Sequence, residues 1–148
     1  MKFLRSFTYA ARGIAESVRT GRNLRFQIVA TVYVFLLAPH FLQSREEWAI
    51  LCVVVALVLA GELFNTALER LTDHTAHGFS MLARAAKDAA AGAVLVASLF
   101  AVAVGVLLLS RAEGWQAFLR FCANFPLYPA ALIVLLVPSW IFVFMPKK

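Results

Sequence analysis

Charge is scarce in this chain of 148 residues, of which only 15% are Asp, Glu, Lys or Arg and 62% are hydrophobic. Soluble domains average about 25% charged and about 45–50% apolar residues. The deficit of charge excludes a disordered chain, a solvated binding module and a typical soluble enzyme. Seven glycines and five prolines are too few for a collagen-like or low-complexity chain. The length leaves room for a single domain.

Cysteine is also rare, and one common nucleotide-binding motif is missing. Cys52 and Cys122 lie in or beside apolar segments, so we interpret them as packing residues and not as a disulfide framework. The sequence contains no Gly-x-x-x-x-Gly-Lys-Ser/Thr loop. Any nucleotide is therefore not held in the way that is usual for soluble enzymes.

Long apolar runs are what the chain has instead. A membrane-spanning helix needs about 20 apolar residues to cross a hydrocarbon core of about 30 Å. Four segments are candidates, and three prolines interrupt the last of them: residues 26–42, 48–61 with a helical continuation to 69, 89–109 and 121–145. The sequence therefore predicts an all-α membrane protein.

Residues 1–25 differ from these runs because six basic side chains are spread through them. No compact apolar core precedes a small-residue cleavage site, so we do not interpret the segment as a cleavable signal peptide. Its apolar residues share one helical face, and its arginines largely take the other. This pattern predicts an amphipathic helix on the membrane surface. A basic leader that only sets the topology is the open alternative.

The positive charges give the chain a net charge of +6 and lie mostly at the ends of the apolar runs. In a polar protein this excess would suggest nucleic acid, but here it indicates membrane orientation, and we expect no nucleic-acid partner. The excess of basic residues is found in the N-terminal segment, the connection 70–88 and the C-terminal tail. We therefore place all three in the cytoplasm. The linker 111–120 is also basic and leaves other arrangements of the last span open.

Glu62, Asn65 and Glu69 continue the second apolar run in a helical pattern. Ionisable groups inside a membrane helix cost about 3 kcal/mol or more each and usually have a function. Their i, i+3, i+7 spacing places the two carboxylates within about 20° of each other and about 10 Å apart along the helix axis. The alternative is that they pair with arginines or backbone groups and hold a helical bundle together.

Lys87 and Asp88 directly precede the third apolar run and are expected at the same membrane depth as Glu69. Three carboxylates, an amide and a lysine near one interface form a plausible site for magnesium and a polyphosphate, because magnesium prefers carboxylate oxygens together with substrate phosphates. Lysine offers a point charge to phosphate oxygens. A carboxylate at the low-dielectric end can accept a proton from an alcohol. Phosphoryl transfer needs these parts together and little covalent chemistry.

Two sequence blocks carry a family resemblance: Glu62-Leu-Phe-Asn65-Thr-Ala-Leu-Glu69-Arg-Leu-Thr-Asp73 and Ala85-Ala86-Lys87-Asp88-Ala-Ala-Ala-Gly92-Ala-Val-Leu95. These blocks, and the gap-free spacing between them, resemble the signature of the small integral-membrane prokaryotic diacylglycerol and undecaprenol kinases. Residues 6–13 and 22–25 resemble the family's surface helix and its exit. The resemblance covers about residues 4–110.

The resemblance implies a three-span bundle preceded by a surface helix and assembled as a homotrimer. Its active sites would lie at the cytoplasmic face of the bacterial inner membrane, between subunits. The implied reaction passes the γ-phosphate of ATP to the hydroxyl of a membrane lipid alcohol, either diacylglycerol or undecaprenol, with magnesium. Residues 1–110 would form the kinase-like domain, and residues 111–148 a C-terminal extension with a fourth span.

The resemblance also implies roles for six residues. Glu62 would be the general base near the lipid hydroxyl, and Asn65 would orient substrate or phosphate. Glu69 would be a magnesium ligand. The nucleotide would be contacted by the remaining three residues: Lys87, Asp88 and Asp73.

Two departures from the family pattern concern the binding of magnesium and of the nucleotide. Gly21 stands where the family usually has a second metal-binding glutamate, and Gly78, Phe79 and Ser80 replace an acid, an aromatic and a histidine. These departures motivate a rival hypothesis, in which the chain is a weak or inactive relative that serves as a membrane scaffold. A transport or channel subunit that uses Glu62 and Glu69 as a polar pathway is a third.

Overall fold

The structure, a computed structural model, describes residues 2–75 and 80–146, which form helices and no β-strand. Seven α-helices follow one another in this described part, and their bounds are α1 Lys2–Thr20, α2 Arg22–Leu37, α3 Arg45–Thr75, α4 Met81–Leu109, α5 Ala112–Asn124, α6 Leu127–Val134 and α7 Leu136–Phe144. A short 3₁₀-helix, Ala38–His40, extends α2. The all-α prediction is confirmed.

Three stretches are long and apolar enough to cross a membrane: Arg45–His74, Met81–Leu109 and Leu127–Phe144, the last of which combines α6 and α7. The first predicted span differs, because α2 has 16 residues and covers only about 24 Å. Pro39 lacks the N–H that an α-helix would use there, and the chain continues as the 3₁₀ turn.

The predicted start of the last span was wrong. Residues 121–124 belong to α5, which also contains most of the 111–120 linker. The last apolar stretch that could span a membrane begins at Leu127. Pro126 lies at this break, where it forms the N-cap of α6. Cys52 is exposed, so the packing role predicted for it was also wrong, whereas Cys122 is half-buried.

The buried core lies at one end of the bundle. Ala38, Leu42 and Leu51 form its centre, where the end of α2 meets the start of α3. The C-terminal extension is fixed to this end by α5, which packs on the 3₁₀ turn: Phe41 is 1% exposed and lies against Gly114. An ion pair between Arg111 and Glu47 adds to this attachment.

From there the extension returns along α2. Tyr128 donates a hydrogen bond to the Leu36 carbonyl at 2.7 Å, and Tyr33 donates one to the Leu132 carbonyl at 3.3 Å. At the opposite end of the bundle, the Arg22 guanidinium lies 6.0 Å from the centre of the Phe144 ring. The start of α2 and the end of α7 therefore lie at the same end of the molecule.

Gly114 provides a test of how the extension is attached. A Cβ at this position would lie 2.3 Å from a ring carbon of Phe41, which is itself buried. We expect Gly114→Ala to destabilise the protein by about 1–3 kcal/mol, the usual cost of overpacking. Thermal unfolding in detergent measures this, with Gly13→Ala as the control because a Cβ there meets nothing within 4 Å. Equal melting temperatures for the two variants would contradict the expectation.

A polar cavity between the surface helix and α3

The three polar residues predicted to share one face of a helix do so on α3. Glu62 and Asn65 are 4% and 8% exposed, and Glu69 lies one turn further toward the end of the helix. The Asn65 side-chain amide donates a hydrogen bond to Glu69 Oε1 at 3.1 Å. Helical periodicity alone brings these three side chains together, as the sequence predicted.

All three side chains line one cavity of about 440 Å³, which we call the polar cavity. One wall is the junction between α1 and α2, and the other is the last part of α3. Its lining residues are Thr20, Gly21, Arg22, Asn23, Glu62, Asn65, Thr66, Glu69, Arg70 and Asp73. Four of the six predicted site residues therefore meet in one place, at the end of the bundle opposite the core.

Two amides of α2 complete the surroundings of Glu62. Asn23 and Gln27, one helical turn apart, are hydrogen-bonding neighbours of its carboxylate. Two buried acceptors have no hydrogen-bond partner among the described residues: Asn65 Oδ1 and Gln27 Oε1. Buried polar atoms are normally paired. Unpaired acceptors beside a buried carboxylate therefore indicate a place where a donor, such as a hydroxyl group, can bind.

Glu62 also borders a second, largely apolar space of about 570 Å³, which we call the lipid groove. It lies between α2, α4 and α7, and it shares Arg22, Asn23 and Glu62 with the polar cavity. Its lining residues are Arg22, Asn23, Phe26, Gln27, Glu62, Ala91, Val94, Leu95, Ser98, Val143 and Phe144. The Glu62 carboxylate thus lies at the border between a polar and an apolar space.

Arg70 joins α1 to α3. Its Nη2 donates to Thr20 Oγ1 at 2.6 Å and lies 3.8 Å from Glu16 Oε1. Glu16, the acid nearest to Gly21 in the preceding helix, therefore faces an arginine of the cavity wall. Sequence alone gives no signal for Arg70, Thr20 or Gln27, because their partners are distant in sequence or lie on another helix.

Lys87 and Asp88 have different partners although they are neighbours in sequence. Lys87 Nζ is 2.6 Å from Asp73 Oδ1, so it joins α4 to the rim of the polar cavity. Asp88 is exposed and lies 3.8 Å from Arg84 Nε, one turn earlier on α4. The structure therefore brings Lys87 to the predicted site, whereas Asp88 is not among the residues that line the polar cavity.

The donors in the polar cavity suit a magnesium ion that is bound together with phosphates. The described residues contain no group of three side chains that could hold a metal ion by themselves. Magnesium, however, is commonly bound by one or two carboxylates plus substrate phosphates. Glu69 and Asp73 line the cavity and could supply these carboxylates.

Gly21, the position without the expected acid, has little room for any side chain. A Cβ there would lie 2.8 Å from the backbone oxygen of Ser17, which also accepts the Gly21 N–H. Of the other departures, Ser80 is the N-cap of α4, where its side chain accepts from the Ala83 N–H. Gly78 and Phe79 lie outside the described residues.

We therefore expect Gly21→Glu not to improve the activity of this site, because the Cβ displaces the α1–α2 junction that forms one cavity wall. A displacement of about 1 Å in a reacting site can lower the rate by up to about 10²-fold. Gly21→Ala separates the effect of the Cβ from that of the carboxylate, and both variants should lose activity. A gain of activity in Gly21→Glu over the unaltered protein would contradict this.

The fold and the site together define a helical membrane protein with a carboxylate-lined cavity at one end of its bundle. Residues 8–109 match the family described as prokaryotic diacylglycerol kinase. The chain therefore belongs to the prokaryotic diacylglycerol kinase family, and its activity is that of an ATP-dependent lipid kinase.

Individual relatives agree with this assignment. The chain is 38% identical to the undecaprenol kinase of Bacillus subtilis over 107 residues, which are 72% of this chain and 87% of the relative. It is 41% identical to a diacylglycerol kinase of Synechocystis over 105 residues, which are 70% of this chain and 60% of the relative. A Helicobacter pylori diacylglycerol kinase is 25% identical over 99 residues, 67% of this chain and 77% of the relative. No solved structure matches the chain.

Proposed function

We propose that this kinase transfers the γ-phosphate of ATP to the hydroxyl group of diacylglycerol or undecaprenol, with Glu62 as the general base. One observation carries the proposal: the buried Glu62 carboxylate borders both the polar cavity and the lipid groove. A lipid alcohol is amphiphilic in the same sense, since its hydroxyl is polar and its tail apolar. The product would enter phospholipid or lipid-carrier metabolism.

In the proposed reaction, Glu62 takes the proton of the lipid hydroxyl while that oxygen bonds to the γ-phosphorus. The bond between the γ-phosphorus and the oxygen that bridges it to the β-phosphate breaks, and ADP leaves with that oxygen. Such transfers depend mainly on positioning and on charge stabilisation, with little covalent chemistry for the protein to perform. For Asn65, which has a free acceptor in Oδ1 and donates to Glu69, we propose the role of orienting the substrate or its phosphate.

The carboxylates of α3 are proposed to hold the phosphate end of the substrate through magnesium. Bound magnesium neutralises phosphate charge. Glu69 would hold the magnesium ion, and the hydrogen bond from Asn65 fixes the position of the Glu69 carboxylate. Asp73 lies at the exit of the cavity, where the nucleotide would enter, and Lys87 contacts it there. For Asp88, which lies one residue further on α4, we propose a contact to the base or ribose outside the cavity.

We further propose that the polar cavity faces the cytoplasm of a bacterial inner membrane. Both the basic connection 70–88 and the basic ends of the chain support this, because positive charge favours the cytoplasmic side. The exposed apolar faces of α3 and α4 support assembly with other copies in the membrane as well as contact with lipid. We propose a homotrimer, and cross-linking of the protein in detergent tests its subunit number.

An assay of ATP-dependent phosphorylation in mixed micelles tests the proposed function. Purified protein is given diacylglycerol or undecaprenol over a series of magnesium concentrations, and we expect magnesium-dependent formation of one phosphorylated lipid. Absence of both products from a folded oligomer would overturn the proposal. The scaffold hypothesis, which the family membership does not favour, predicts in addition that no magnesium-dependent nucleotide binding occurs.

A further inference from the structure

One wall of the lipid groove comes from outside the part of the chain that matches the family. The family match ends at residue 109, whereas Val143 and Phe144 belong to α7. Val143 is 6% exposed and is the buried residue of α7. Contact between Arg22 and the Phe144 ring fixes the end of α7 beside the start of α2. The extension therefore reaches back to the place where Glu62 lies.

A second apolar cavity of about 280 Å³ lies next to the lipid groove. The two share Phe26, Gln27 and Ser98, and the second one extends along α2, α3 and α4 to Gly105. From Ala91 to Gly105 the path follows about 21 Å of helix. An apolar chain could thus run from the Glu62 end most of the way along the bundle.

The polar end of this path identifies the occupant. Gln27 lines both apolar spaces, and its buried Oε1 has no partner among the described residues. An occupant that carries a hydroxyl group at the end of an apolar tail brings one O–H donor, which either this oxygen or the neighbouring Glu62 carboxylate can accept. A purely apolar helix of a second copy would bring no donor and would leave Gln27 Oε1 buried and unpaired, which costs free energy.

We propose that α7 is a substrate-binding element, in which Val143 and Phe144 form a wall against the tail of the lipid alcohol next to its hydroxyl end. This inference rests on the proposed function and adds to it a residue set that determines affinity for the lipid. Without α7, the groove between α2 and α4 would have no protein wall on this side.

The test measures two quantities in mixed micelles: the KM for the lipid alcohol and the KM for ATP. For Phe144→Ala, removal of the ring from the groove should raise the KM for the lipid alcohol by about five- to thirtyfold. The KM for ATP should stay unchanged, because the ring is not among the residues that line the polar cavity. Phe144→Leu, which keeps a large apolar side chain, should restore most of the lipid affinity.

Ile141→Ala is the matched control, because Ile141 is exposed on the same helix and does not line the groove. It should leave both KM values unchanged. An unchanged lipid KM in Phe144→Ala would overturn the inference while the proposed function stands. A change of oligomer size in Phe144→Ala, with an unchanged lipid KM, would assign α7 to subunit contacts and also overturn it.

A binding measurement separates the two proposals if the unaltered protein phosphorylates neither lipid. A long-chain alcohol that carries a diazirine in its tail is photo-cross-linked without ATP, and the labelled peptide is identified by mass spectrometry. Labelling of residues 136–144 that unlabelled alcohol suppresses would support the groove wall even where the kinase assay fails. Labelling that avoids these residues would overturn it.

Discussion

Glu62→Gln should lower kcat by about 10²–10⁴-fold, the range that a positioned general base contributes. Glutamine has the same shape and can keep the neighbouring Asn23 and Gln27 amides in place, but it cannot take a proton from an alcohol. Initial rates of lipid phosphorylation at saturating ATP and lipid measure the effect. Subunit number and melting temperature should not change, because the substitution preserves the volume of the buried site.

Glu113→Gln is the matched control for this variant. Glu113 is an exposed acid in the first turn of α5 and lines neither the polar cavity nor the lipid groove. The Glu113→Gln variant should therefore retain full activity. Turnover by Glu62→Gln at the rate of this control would show that Glu62 is not the base.

The second large effect is expected for Glu69→Gln. The amide oxygen of glutamine can still accept the hydrogen bond from Asn65, so the local structure should persist. Loss of the negative charge should raise the magnesium concentration needed for half-maximal activity by about 10–100-fold, the size seen when groups that support metal binding are removed. Excess magnesium should restore part of the rate.

A magnesium titration at fixed ATP measures this, and Glu113→Gln again serves as the control. Identical magnesium curves for Glu69→Gln and the control would contradict the assignment of Glu69 as a ligand. A lower kcat that magnesium does not restore would indicate that Glu69 orients the substrate instead.

Helical periodicity explains what could be predicted about the site. Glu62, Asn65 and Glu69 lie on one helix, so their spacing alone fixes their common face, and the structure agrees. Lys87 and Asp88 show the limit of the same reasoning. Neighbouring residues on a helix point about 100° apart, so adjacency in sequence does not give them a common target. Lys87 contacts Asp73 on another helix, whereas Asp88 contacts Arg84 on its own.

Contacts between segments distant in sequence explain what could not be predicted about the fold. The apolar character of residues 121–125 suggested the start of a membrane span, but residues 121–124 continue α5, which packs on the 3₁₀ turn. The close approach of Gly114 to Phe41, and of α7 to α2, depends on how the extension folds back. Hydrophobic periodicity reports which side of a helix is apolar but not which neighbour covers it.

The lipid groove has a kinetic consequence that follows from its open side. Phe26 and Leu95 line it and are 63% and 60% exposed, so we expect the apolar side of the groove to open toward the bilayer. The lipid alcohol would enter the groove by lateral diffusion, and its phosphate ester would leave in the same way. The tail would stay in the bilayer throughout. The reaction rate should accordingly follow the mole fraction of the alcohol in the membrane, and diluting the lipid with inert detergent should slow the enzyme even at constant bulk concentration.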